Sequence, residues 1–188
     1  LDPAADTLRG AAATFTPYAQ AVSIHWDTYQ RRTGNPMRAW AQREFAAARA
    51  KTVFYPFSGP DFATVHQIYP DAARYVLVAI QPARSPPDLT AFSAKDLATF
   101  LTHFQAGWRR FSAIGFFLTR DLNKDAYSKR VRIGVTATLM AFAARSGYEV
   151  LAVQPVRIAA DGTDLEPHPG DRRAKETWSS VRLTLARD

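Results

Sequence analysis

The sequence predicts an α/β fold of Rossmann-like, three-layer type: a mainly parallel sheet with an antiparallel C-terminal edge and N-terminal helices. Three observations lead there. Two uncharged runs of β-formers, at 52–57 and 75–80, flank a short segment with Phe62, Val65 and Tyr69 at helical spacing, the pattern of a β-α-β unit. A third apolar run, 148–158, follows a helical segment, as another strand of that sheet would. Near the C-terminus Val181, Leu183 and Leu185 alternate with Arg182, Thr184 and Ala186, which marks a half-exposed antiparallel strand.

In chain order, residues 1–18 are rich in Ala and Thr and predict a helix or arm broken near Pro17. Residues 19–32 form a second helical stretch that Gly34-Asn35-Pro36 should stop. Pro36 suits the first turn of the next helix, which runs past Trp40 and Phe45 to about residue 50. The aromatic residues of these helices mark core faces. After the β-α-β unit of 51–81, Pro86-Pro87 forbids helix in an extended loop. Ser93 caps a helix over 94–110, residues 116–119 form a short strand, and 121–132 are a polar, basic connection. A helix over 135–145 ends at Gly147, and the third strand follows. The turn 159–162 and a Pro-, Gly- and charge-rich loop at 165–173 lead to the last strand. The organisation expected is one α/β domain over 1–188: a helical part at 1–50, a Rossmann-like core at 51–158, and a loop with an edge strand at 159–188.

Composition narrows the function classes. The 188 residues are 47% hydrophobic and 22% charged, ordinary for a globular chain and unlike a disordered one. No apolar run approaches the roughly 20 residues needed to cross a bilayer. A formal charge of +7 raises nucleic acid as a partner, but the arginines are spread along the chain and the excess reads as solvated faces, so nucleic acid is not expected. The absence of cysteine excludes disulfides, thiolate ligands and a cysteine nucleophile. The chain starts "LDPAAD", which leads to the expectation of a mature chain, periplasmic or secreted, after removal of a signal. Neither a cofactor nor an oligomeric state is read from the residues.

The stretch "KTVFYPFSGPDF" carries the candidate site. A strand, a tight turn and a helix bring backbone donors and a positive helix end to the carboxyl edge of a sheet, where ligands of open α/β folds sit. Ser58 supplies a hydroxyl, Gly59 permits close approach, Tyr55 ends the strand, and Asp61 either caps the helix or accepts from a ligand. The same residues are also what a sharp turn needs in order to fold. One glycine and the donor-less Pro60 rule out a dinucleotide fingerprint or a P-loop. Gln81 stands where a nucleoside-binding strand would carry an acid for the ribose, which weakens a nicotinamide or S-adenosylmethionine reading. Arg120, at the end of the short strand, either grips an anionic ligand or pairs with Asp121 or Asp61.

Other constellations fail on geometry. Asp121, Asn123 and Asp125 open like a calcium loop, but Ala126 and Arg132 stand where Gly and Glu are needed. His25, His66, His103 and His168 include no pair at helical ligand spacing, and no metal site is expected. Ser58, His66 and Asp61 lack the G-x-S-x-G elbow of a hydrolase.

The string from Phe54 to Phe62, followed by "YPDAARYVLVAIQP", resembles an uncharacterised bacterial family marked by Phe-Tyr-x-Phe-Ser-Gly-Pro-Asp-Phe and a later "Tyr-Val-Leu…Glu-Pro" strand. The region of Trp26 and Trp40, "GFFLTRDL" and the run 138–153 are similar in kind. The resemblance implies an exported or envelope-associated protein and no particular activity, and Gln81 departs from it where the family has Glu. Three functions follow as expectations. The first is a domain binding a small polar or nucleoside-like ligand at the elbow from Tyr55 to Asp61. The others are a divergent S-adenosylmethionine-dependent methyltransferase-like enzyme, and a non-catalytic envelope interaction module.

Overall fold

The structure, a computed structural model, describes residues 3–45, 51–56, 61–79, 83–115, 134–165 and 180–187. They group into two compact units, 1–36 with 87–132, and 37–86 with 133–188. The expected strand at 116–119, the polar connection at 121–132 and most of the loop at 165–173 lie outside the described residues.

The first unit is a pair of long helices, α1 (Pro3–Tyr29) and α4 (Ala94–Ile114). Val22, Trp26 and Tyr29 recur at i, i+4 and i+7 on α1, and Leu101, Trp108 and Phe111 at i, i+7 and i+10 on α4; all six are buried. Rings lock the two stripes together. Trp26 meets Trp108 edge-on at 6.0 Å, and Tyr29 packs on Phe111 at 4.4 Å between centroids. α1 runs helical straight through Pro17, which removes only one N–H, so the expected break is absent.

The Gly34-Asn35-Pro36 stop is likewise corrected. Gln30–Gly34 form a π-turn, in which Asn35 N–H donates to the Gln30 carbonyl, and the backbone passes directly into α2 (Asn35–Glu44). One wide turn admits the proline ring without breaking the helix. At its far end α4 stops at Gly115, whose φ of 79° is the left-handed conformation glycine adopts freely.

Ser93 opens α4 as the sequence predicts. Its hydroxyl oxygen accepts from Asp96 N–H at 3.2 Å and donates to the Asp96 carboxylate at 2.7 Å. Ser93→Ala is expected to lower stability by about 1 kcal/mol, measured by urea denaturation; an unchanged midpoint would show that the cap is idle.

The second unit contains the strands, and here the Rossmann-like expectation is overturned. β1 (Thr52–Tyr55) and β2 (Arg74–Leu77) pair in parallel, Val53 opposite Tyr75, with α3 (Phe62–Ile68) between them in the chain. They form a two-stranded sheet by themselves. After α5 (Val135–Arg145) comes β3 (Glu149–Ile158), which does not join β1 or β2. It is the centre of a separate antiparallel sheet, with β4 (Asp164–Leu165) on one edge and β5 (Ser180–Ala186) on the other.

The physical reason is that an uncharged strand is compatible with either pairing sense. The turn at Gly162, with φ of 83°, folds the end of β3 back as a hairpin onto β4, and β5 takes the remaining edge. Among the described residues β4 pairs with Arg157 and Ile158, beyond Pro155, which therefore needs no N–H for that ladder. β1 also lacks the two-sided burial of a Rossmann strand. Val53 is buried, whereas Phe54 is 65% exposed.

α5 is anchored through its first turn. The Ala83 carbonyl accepts from both the backbone N–H and the hydroxyl of Thr136, at 3.2 and 2.8 Å, and Thr136 is fully buried.

Candidate functional site

The elbow follows directly from the parallel pairing. β1 delivers the chain to its C-terminal end, and α3 returns it to β2, so Tyr55 ends the strand and Asp61 precedes the helix. Of the six candidate residues, these two are described; Ser58, Gly59, Gln81 and Arg120 lie outside the described residues.

Asp61 occupies the N-cap position of α3 but does not cap it with its side chain. Its backbone carbonyl accepts from Thr64 N–H at 3.0 Å and Val65 N–H at 3.1 Å, and this suffices to start the helix. The carboxyl is therefore not spent on the backbone. It is buried, 8% exposed, and Oδ1 finds no hydrogen-bond partner. Burial pushes its pKa up to about 6, because a charged carboxylate loses its hydration there. Tyr55 responds to the same environment: its own burial and then the Asp61 charge raise its phenol pKa, keeping the hydroxyl a donor.

The opposite side of α3 is a structural cluster. His66 packs against Phe62 and Tyr148, and its Nε2 lies 3.3 Å from the Tyr148 hydroxyl, which is also 3.4 Å from the Pro70 carbonyl. The Tyr75 hydroxyl donates to the Tyr69 carbonyl. Burial first, and then Arg187 and Arg38, lower the His66 pKa to about 4, with Asp71 opposing. His66 is thus neutral at physiological pH. Tyr75 moves the other way, its phenol pKa raised by burial first and then by Tyr148, so neither tyrosine nor histidine is poised for proton transfer at neutral pH.

Asp61 and His66 are five positions apart, which puts them about 140° apart around α3. A Ser58-His66-Asp61 relay has no geometric support from this pair. Among the described residues no group of three or more His, Asp or Glu is arranged to hold a metal ion, and no helix is long and apolar enough to cross a membrane.

A second feature of α3 escapes the motif. Thr64 and Gln67 follow Asp61 at i+3 and i+6, each step turning about 60° around the helix, so that Gln67 lies about 120° from Asp61. The Arg38 side chain, from α2, donates through Nη2 to Gln67 Oε1 at 2.6 Å. Asp61 Oδ1, Thr64 Oγ1 and Gln67 Nε2, and Nε of Arg38 from α2, are each buried without a hydrogen-bond partner. The spacing of Thr64 and Gln67 from Asp61 was visible in the sequence, whereas the arrival of Arg38 from a separate helix was not.

No protein-family model matches the chain, and neither a curated protein nor a solved structure matches it. The resemblance of the Phe54–Phe62 string therefore stands on its residues alone, and the arrangement of the elbow is what bears on function.

Proposed function

We propose that the β1–α3 elbow binds a small polar ligand, a sugar or the ribose of a nucleoside among the candidates, by taking hydroxyl protons on Asp61 with Tyr55 beside it. One observation carries this reading: the Asp61 carboxyl is buried, destabilised and not used to cap its own helix. An unpaired buried acceptor costs about 1–3 kcal/mol, and a ligand hydroxyl that satisfies it recovers that amount on binding. The methyltransferase-like alternative needed a continuous parallel sheet to seat its cofactor. Among the described residues that sheet is replaced by a two-stranded ladder and a separate antiparallel sheet.

The test is a thermal-shift panel of nucleosides, monosaccharides and polyols at pH 7.5. A ligand present at a hundred times its Kd is expected to stabilise the chain by about 2.7 kcal/mol. Asp61→Ala should abolish that gain. A ligand bound equally well by Asp61→Ala, or a panel without any binder, would refute the reading.

A further inference from the structure

We propose that His66 is an acid-operated latch: on taking up a proton it lets go of Tyr148 and frees α3 from the start of β3, opening the elbow while the β3–β5 ladder holds. The latch joins two parts of one unit, because His66 lies on α3 and Tyr148, 82 residues further on, leads into β3. Its release needs no ligand, so it stands or falls apart from the binding proposed above.

The partners of the ring decide which nitrogen carries the hydrogen. His66 is buried, 3% exposed; Nε2 faces the Tyr148 hydroxyl, and Nδ1 has no hydrogen-bond partner. With hydrogen on Nε2, the ring donates to the Tyr148 oxygen and Tyr148 donates on to the Pro70 carbonyl, so one directional chain serves both groups. With hydrogen on Nδ1 instead, a buried N–H would meet no acceptor. The neutral ring is therefore the Nε2–H tautomer.

A proton added in acid must then go to Nδ1, where nothing accepts it. Burial opposes the resulting charge first; Arg187, whose Cζ lies 5.7 Å from the centre of the Tyr148 ring, and Arg38 of α2 add repulsion, and Asp71 opposes them. β2 brings the Tyr75 ring to 6.4 Å, and α5 carries one ionisable side chain, Arg145, in its last turn. α3 is seven residues long, well short of the roughly 12–15 that sustain a helix alone in water, so once released it unravels and Asp61 moves with it. The ladder from Glu149–Ala186 to Val156–Ser180 contains no histidine to respond.

Hydrogen exchange of the full chain, corrected for the intrinsic rate, tests this from pH 7.5 to 3.5 in Asp61→Asn, which removes the opposing titration on the same helix. Protection of the α3 amides is expected to fall by about two orders of magnitude, the span set by a ring that titrates at 6.5 when released and about 4 when latched, while β3 and β5 keep theirs. Adding His66→Phe, a ring that cannot titrate, should leave α3 protection level with pH; if that variant does not fold, His66→Gln takes its place. Loss of protection in α3 and β3 together would be acid unfolding of the whole unit and overturns the latch, as does an equal loss in the non-titrating variant. Nitrogen-15 shifts of the His66 ring at pH 7.5 are expected to report Nε2–H. Finding Nδ1–H overturns the latch too, since the incoming proton would then find Tyr148 as its acceptor.

Discussion

Asp61→Asn is expected to stabilise the protein by about 3 kcal/mol at pH 7.5, the displacement from 3.8 to about 6 taken at 1.36 kcal/mol per pH unit. The substitution keeps the shape, removes the buried charge and sacrifices no cap, since the Asp61 side chain makes no cap bond. In the folded chain Asp61 holds its proton to higher pH than in the unfolded chain. Its neutral form is accommodated below pH 3.8, and stability falls as pH rises from about 4 to 6.

His66 acts in the opposite sense. With its pKa lowered from 6.5 to about 4, the unfolded chain takes up the proton first, so its contribution is complete above pH 6.5 and is lost as pH falls towards 4. The two slopes overlap and oppose each other. Wild-type stability should therefore be nearly level between pH 4 and 6, while Asp61→Asn, with His66 left alone, should rise steadily across that range. Urea denaturation at half-unit pH steps measures both curves. A variant no more stable than wild type at pH 7.5 would mean that the Asp61 carboxylate is already compensated. Stabilisation together with loss of ligand is the trade-off expected of a residue kept for binding.

Gly134→Ala is expected to cost on the order of 3 kcal/mol, at the upper end for overpacking a tight site. A Cβ at position 134 would collide with the Ala83 carbonyl oxygen and lie 2.7 Å from its carbon. Backbone cannot swing away as a side-chain tip can. Moving that carbonyl would also loosen its bonds to the Thr136 N–H and hydroxyl, which satisfy the first turn of α5. The backbone of Gly134 itself is extended and unstrained, so the effect comes from contact alone. Chemical denaturation of the variant tests it, and a loss below about 0.5 kcal/mol, the range of ordinary surface changes, would show that the loop before α5 yields.

Much of the local structure was legible. Ser93 marks the start of α4, Gly147 follows α5, and Phe62, Val65 and Tyr69 place the short helix between two parallel strands, because caps and periodicity act within a few residues. The two signals that misled were Pro17 and Gly34-Asn35-Pro36, strong breakers in isolation. α1 absorbs the one N–H that Pro17 removes, and a π-turn absorbs the other signal. In the site, the motif pointed to Tyr55 and Asp61, but it left open whether Asp61 serves the helix or a ligand. That question turns on one side-chain hydrogen bond, which no spacing rule reports.

By itself the sequence determined the ends of β1, α3, β2, α5, β3 and β5 to within a few positions and the parallel pairing across α3, while β4 was not expected. Only the tertiary structure decided that β3 belongs to an antiparallel sheet of its own. Apolar runs encode burial and not pairing sense, which is set by the partner that reaches each edge first. Only the tertiary structure, too, brought Arg38 onto Gln67, twenty-nine residues away.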